Sequence, residues 1–330
     1  MTHPETLASD TAPAIASAED WQLRSHPLLS APALKALNQR SNLRGGLQLA
    51  AHLTILGLSG YLWGRYGWGQ GWSPGSSWLA GIALGIYGFS LATMFAPVHE
   101  GVHRTAFAKQ VVNDGVAWLA GVLSFYNSTF YRRYHQWHHR YTRISGKDPE
   151  LEDVQPETLG AYLWQVSGVP WWLGKLRGHW QLAWGQTADM PYIPGSARTV
   201  VMRSTQWQLG VYGAAIALSI GLHQLWFWQY WLLPLAIGQP LLRFILLAEH
   251  TGCSRDGNAL TNTRTTLTLW PIRLLMWNMP FHAEHHLYPS IPFHALGKAH
   301  QQLAPHFHHV DPGYVAVNRR ILSWIGRSAA

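Results

Sequence analysis

Eight histidines fall into three short clusters: His99 and His103 in HEGVH, His135, His138 and His139 in HQWHH, and His282, His285 and His286 in HAEHH. Imidazole is a ligand for zinc, copper, iron and nickel, so the residue type points to a metal without choosing one. The spacing supplies geometry. Residues three and four apart on a helix share a face, with Cβ atoms about 5–6 Å apart. HxxxH therefore aims two rings the same way, and HxxHH aims two or three from one patch. Histidine is 19 of 330 residues. At that frequency chance gives HxxHH roughly 0.06 times per chain, yet it occurs twice, with an HxxxH upstream. Scattered surface or core histidines would need the same coincidence three times.

The count exceeds the needs of one ion. Catalytic zinc takes three protein ligands and keeps a position open, so eight rings suggest two ions. A pair of irons has an additional use, because it can hold and activate O2 as the oxidant for an unactivated C–H bond. His250 in LLAEHTG is expected as a ninth ligand that closes the site. Metal-bound histidines usually give their other N–H to a carboxylate or carbonyl. Glu100, Glu249 and Glu284, inside or beside the clusters, and Asp148, after the second, are candidates for that role. Asn262 and Arg264, in the polar, turn-like NALTNTRTT, are expected to brace the site or touch a headgroup. No catalytic residue separates from the ligands, and no substrate-binding residue is legible. His52 is expected to pack as a neutral ring and His223 to be interfacial. His294, His300, His306, His308 and His309 are expected to be solvated, and Cys253 to be a small turn residue.

The elements that position these residues read as membrane helices. Charged residues are only 12%, while tryptophan contributes 19 residues, a bias typical of chains anchored at bilayer interfaces. Mean hydropathy is near zero, too low for a chain made wholly of spans. A few membrane helices with a sizeable polar part satisfy both facts. Span candidates lie at about 47–66, 77–97, 207–225 and 228–247, each close to the ~20 residues that cross the hydrocarbon. They form two expected hairpins, with Pro234 and Pro240 expected to kink the fourth helix. The expected architecture is thus all-α, with a helical cap from 98–206 and 248–310 holding the di-metal site. A domain over 21–310 lies between a disordered tail (1–20) and a C-terminal tail (311–330). The first 20 residues have no apolar run, so insertion is expected through internal helices. Residues 27–46 are expected to be interfacial. So is the segment bearing Trp164, Trp171, Trp172, Trp180 and Trp184.

Counting crossings puts all three clusters on one side. Arg104, Lys109, Arg132, Arg133, Arg140, Arg143 and Lys147 accompany the first two clusters, and Arg255, Arg264 and Arg273 precede the third. The opposite loops hold no lysine or arginine after Arg65. The positive-inside bias makes the clusters and both termini cytoplasmic. One cysteine excludes an internal disulfide and a cysteine-ligated metal site. The net charge of +8 comes without any nucleic-acid motif. It suits anionic lipid headgroups or an acidic redox partner instead. A non-catalytic metal-binding or transport protein would need ionisable residues within several spans, and these spans hold almost none.

HEGVH, HQWHH and HAEHH, in this order and between paired spans, resemble the three histidine boxes of the integral-membrane fatty acid desaturase and hydroxylase superfamily. The run NMPFHAEHHLYPSIPFHAL is similar to the third box of acyl-lipid desaturases. The resemblance covers roughly residues 47–300. It implies two bound irons, a ligand at His250, four membrane helices beneath a cytosolic cap, and O2-dependent introduction of a double bond into a fatty acyl or lipid chain. Hydroxylation or ketolation of an acyl chain, carotenoid or other apolar molecule is the alternative, since both chemistries begin by removing hydrogen. The first box is HxxxH, where acyl-CoA desaturases often carry HxxxxH. No HPGG of a cytochrome b5 module occurs, so electrons are expected from a separate ferredoxin or cytochrome b5.

Overall fold

Every long apolar segment of the sequence becomes a helix. The computed structural model describes residues 28–67, 74–152 and 155–328, so the expected tail 1–20 lies outside the described residues. Helix α1 (Ala31–Leu37) is capped by the Ser30 side chain, which accepts from the Ala33 amide. Helices α2 (Asn42–Gly67) and α3 (Pro74–Ala92) pack together as the first expected hairpin. Helix α4 (Phe95–His103) continues α3 after a turn at Thr93 and Met94. There Thr93 Oγ1 bonds back to the carbonyls of Phe89 and Ser90 at 2.8 and 3.1 Å, a contact that bends helices.

Helices α5 (Gln110–Ser124), α6 (Ser128–Tyr141), α7 (Leu159–Val166) and α8 (Val169–Ala183) follow. Asn127 caps α6 by accepting from the Phe130 amide at 2.9 Å. Along α7 and α8, Trp164, Trp180 and Trp184 are exposed, while Trp171 and Trp172 pack against the core. Helix α9 (Gly195–Gly221) comes next, then a π-helical turn at Trp228–Leu232, then α10 (Leu233–His250). Pro234 sits in the first turn of α10, where its missing N–H costs nothing. The helix runs unbroken through Pro240 to His250.

The second expected hairpin differs from expectation. Helix α10 packs along α3, and α9 packs along α8. Glycine explains the first contact. A Cβ on Gly238 would stand 1.9 Å from the Gly88 carbonyl oxygen, and one on Gly88 would stand 2.4 Å from that of Pro234. Small residues of this kind let membrane helices touch backbone to backbone. Two stretches, Ser77–His103 and Trp228–His250, are long and apolar enough to cross a membrane. Helices α2 and α9, with 26 and 27 residues, have the length but less apolarity.

The remaining chain folds over the box-bearing end. β1 (Thr265–Thr266) pairs in parallel with β2 (Val310–Asp311), Thr265 opposite Val310. Between and after them lie α11 (Trp270–Leu275), α12 (His282–Leu287), α13 (Phe293–Leu303) and α14 (Tyr314–Ser328). Residues 311–328 of the expected tail 311–330 instead hold the end of β2 and all of α14. Tyr314, Val317, Ile321 and Ile325 are buried in the main core against α10, on the single apolar stripe their helical spacing creates. Residues 27–46, expected at the interface, contain α1, whose Leu37 joins Leu29 in a second core with Ile291, Leu296 and Leu303.

Gly238→Ala is expected to force α3 and α10 apart, at a cost of about 1–3 kcal/mol from overpacking. A lowered thermal midpoint in detergent would register it. Gly210→Ala, where an added Cβ meets nothing within 4 Å, is the control. Equal midpoints in the two variants would refute the backbone contact.

Candidate metal centre

Four elements deliver nine imidazoles to one place. Helix α4 carries His99 and His103, and α6 carries His135, His138 and His139. Helix α10 ends on His250, and α12 carries His282, His285 and His286. The ligand atoms of His99, His103, His135, His139 and His285 all lie within 4.8 Å of one another. Those of His138, His250 and His286 do likewise. His282 adjoins the second group, its Nε2 standing 3.2 Å from His250 Nε2 and 3.1 Å from His286 Nε2. Neighbours in sequence part company here: His138 and His139 enter different groups, and so do His285 and His286. Successive residues on an α-helix point about 100° apart, so each doublet feeds both groups.

The donor atoms fit metal ions. His139 Nε2 lies 3.0 Å from both His135 Nε2 and His285 Nε2. Bonds of roughly 2.0–2.1 Å to one ion bring ligand nitrogens about this close. Several other ring nitrogens, including His99 Nε2, His103 Nε2 and His138 Nε2, are buried with no hydrogen-bond partner. Buried polar atoms rarely stay unpaired, and a cation among them resolves the deficit. Four of the outward nitrogens are partnered as ligation requires, while Nδ1 of His139, His282 and His285 is buried without a hydrogen-bond partner. His138 Nδ1 meets Asp148 Oδ1 at 2.8 Å, His250 Nδ1 meets the Asn262 carbonyl at 3.1 Å, and His286 Nδ1 meets Thr142 Oγ1 at 3.2 Å. Tyr131 Oη lies 3.2 Å from His135 Nδ1.

Burial, and then the neighbouring rings, push His135, His139, His282, His285 and His286 well below the ordinary imidazole value. They are therefore neutral, the form that binds metal. His138 differs. Burial opposes its charged form, but the carboxylates of Glu150 and Asp148 outweigh it and raise the value. For Asp148, burial favours the neutral acid, but the His138 bond and two backbone amides keep it below the usual carboxylate range.

The expected carboxylate partners divide. Asp148 touches a box histidine directly, and Glu249 Oε2 lies 3.4 Å from His282 Nε2. Asn262 reaches His250 through its backbone carbonyl, while its side-chain amide bonds to the Asp256 carbonyl at 3.1 Å. The other three brace the scaffold instead of meeting a ring of the nine. Glu100 accepts from Thr105 Oγ1 at 2.6 Å and from the Phe293 amide at 2.9 Å, which ties α4 to α13. Glu284 meets Thr265 Oγ1 and His300 Nδ1, each at 2.5 Å. Arg264 pairs with Asp311 at 2.8 Å and donates to the Thr251 carbonyl at 2.9 Å, which holds the end of α10. His300, expected to be solvated, is thus a partner of Glu284. Glu100 and Glu284 each adjoin a histidine in sequence but point about 100° away from it around the helix, which turns their carboxyls from the rings.

Sequence reasoning missed Glu150, whose oxygens lie 3.5 Å from His135 Nδ1 and 3.4 Å from His138 Nε2. The acidic run DPELED after the second box held that signal. It missed Tyr131 and Thr142 too, though each is four residues from a box histidine. Two links fix the boxes to their surroundings. Asp114 on α5 binds Arg104 at the end of α4 and Arg132 on α6. His52 is fully buried, with Nε2 2.9 Å from the Ser90 carbonyl and Nδ1 accepting from Trp277 Nε1 at 3.2 Å. That pairing fixes its proton on Nε2.

Asp148→Ala is expected to lower metal affinity about 10–100-fold, the usual cost of losing such a partner. Metal retained after graded chelation, measured by elemental analysis, checks it. Retention equal to the parent's would show that the carboxylate does not orient His138.

The profile of the fatty acid desaturase family matches residues 76–318 of this chain. The sn-1 oleoyl-lipid 12-desaturase of Picosynechococcus sp. is 27% identical over 239 residues, covering 66% of this chain and 67% of that protein. The dihydrorhizobitoxine desaturase of Bradyrhizobium elkanii is 27% identical over 267 residues, covering 75% and 71%. The Delta(5) fatty acid desaturase fat-4 of Caenorhabditis elegans is 24% identical over 234 residues, or 60% of this chain and 51% of that protein. The matched span holds all nine converging histidines and the helices that carry them. With the family profile covering well over half its length, the chain belongs to the fatty acid desaturase family.

Proposed function

We propose that this chain is an O2-dependent membrane oxidoreductase that holds two irons and introduces a double bond into a fatty acyl or lipid chain. The observation that carries the reading is the division of nine converging imidazoles into two adjacent groups in a member of the desaturase family. Two irons, when bound, supply the O2 chemistry that removes hydrogen from an unactivated C–H bond. The chain's own residues do the rest. Neutral rings hold the ions without adding charge. Asp148 keeps the His138 proton on Nδ1, leaving Nε2 free to bind. Met276, Met279 and Leu296 are buried beside His99 and His285 and exclude water from that side.

Several observations favour particulars of this reading. All three relatives are named as desaturases, and two are named for fatty acyl or oleoyl-lipid substrates. This favours loss of two hydrogens over hydroxylation or ketolation. At about 1.5 Å per residue, α2 and α9 are long enough to complete four spans. Their outward Leu58, Ile216 and Ile220 are exposed, as lipid-facing residues would be. The lysine and arginine bias supports cytoplasmic boxes. The basic charge suits an acidic electron donor of ferredoxin type, with cytochrome b5 as the other donor class.

Lipids of a host expressing the chain with a compatible donor, analysed by mass spectrometry beside a His138→Ala control, test the proposal. The expected result is a species lighter by two hydrogens, absent in the control, with two irons per purified chain. A product heavier by one oxygen would transfer the chain to hydroxylation. A different resident metal would refute the iron assignment.

A further inference from the structure

Helix α10 carries a charge where membrane helices rarely have one. Arg243 lies seven residues before His250, two turns away on the same face. Its Nη2 donates to the Tyr126 hydroxyl at 3.2 Å, and its guanidinium lies over the Trp171 ring, 5.8 Å from the centroid. Its Nε is buried with no hydrogen-bond partner. Among the described residues, arginine–carboxylate pairs are made by Arg104, Arg132, Arg264 and Arg320 but not by Arg243.

A second cation meets the same phenol. Lys175 of α8 places its Nζ 3.5 Å from the centroid of the Tyr126 ring. Trp171 Nε1 donates to the Tyr126 hydroxyl at 3.0 Å. That oxygen therefore accepts two hydrogen bonds already. One turn earlier on α10, Gln239 is fully buried, and neither of its amide atoms has a partner. Its Cβ packs close to Gly168, where α8 begins. The crevice where α8 meets α10 thus brings two cations onto one tyrosine, and Arg243 Nε and the Gln239 amide, one turn apart on α10, have no hydrogen-bond partner. An arginine fork and an ammonium together suit an oxyanion, which accepts several charge-assisted bonds at once.

The crevice adjoins the metal centre. Tyr126 lies edge-on to Tyr131, with centroids 5.6 Å apart, and Tyr131 stacks on His135 at 4.9 Å. Two rings separate the cations from a candidate ligand. We propose that this crevice binds the anionic group, phosphate or carboxylate, of the amphiphile whose chain reaches the metal centre. Naming that amphiphile as the substrate rests on the desaturase reading; the binding itself does not.

Native mass spectrometry of the full chain in neutral detergent tests it, by titration with phosphatidylglycerol, phosphatidylcholine, free oleate and inorganic phosphate. The expected result is preferential retention of phosphatidylglycerol or oleate over phosphatidylcholine. Preference for the first marks a lipid phosphate, and for the second a carboxylate. Arg243→Gln should weaken that retention about tenfold, the scale of a charge-assisted bond, while Arg243→Lys restores most of it. Lys175→Gln, on the outer side of the crevice, should shift retention in the same direction if Arg243→Gln fails to fold. Thermal midpoints report folding. Equal retention of all three lipids, binding of inorganic phosphate alone, or an undiminished preference in both folded glutamine variants would overturn the proposal. No turnover is needed, so a retained preference without any desaturated product would count against the activity and not against the site.

Discussion

Nine imidazoles must face one another without a net charge among most of them, and the rest of the structure serves that constraint. Nitrogens about 3 Å apart repel unless a proton or a cation lies between them. Burial keeps most rings neutral, with one proton each, too few to bridge every converging pair, and a cation among them satisfies the rest. Aim is then the scaffold's task. Each of four elements ends or turns at the centre, and each is pinned by a polar stitch, half-exposed at Asp114 and buried at the others. Asp114 joins α4 to α6, Glu100 joins α4 to α13, Glu284 joins β1 to α13 through α12, and Arg264 clamps the end of α10. These carboxylates and guanidinium are costly to bury alone and inexpensive once fully bonded, so they favour one arrangement of the helices over slightly shifted ones.

The convergence of the nine rings was legible because histidine spacing is a one-dimensional shadow of helix geometry. His99 with His103 and His282 with His286 state their shared faces outright, and His250 follows from its place just after an apolar helix. What surrounds the ligands was less legible. Sequence adjacency suggested Glu100 and Glu284 as partners of the histidines beside them, yet their carboxyls turn toward Thr105 and His300. The true contacts of Glu150, Tyr131 and Thr142 depend on how the loop after α6 folds back, a tertiary fact. Likewise, Tyr314, Val317, Ile321 and Ile325 are four apolar residues in a polar sequence, and only the groove beside α10 makes them core.

The long apolar helices show the same division. Hydropathy located the apolar segments, but it paired α9 with α10 because they adjoin in sequence. Backbone contact between Gly88 and Gly238 gives α10 a different neighbour. That contact also aligns α10, which ends on His250, with α3, which leads into the α4 that carries His99. The hydrogen bond from Trp277 to His52 adds a link between α2 and the loop before α12. The apolar helices and the segment over them are therefore joined by specific polar bonds as well as by sequence continuity.

The histidine doublets leave the two groups without independence. His138 and His139 ride on one helix, as do His285 and His286, at a fixed angle to each other. A rotation of α6 or α12 that draws one ring inward carries its neighbour past its own target. Neither group of rings can be retuned alone through its backbone. Substitutions that adapt one group must act through side-chain partners such as Asp148 and Thr142, and the backbone beneath is held to a single compromise between the two groups.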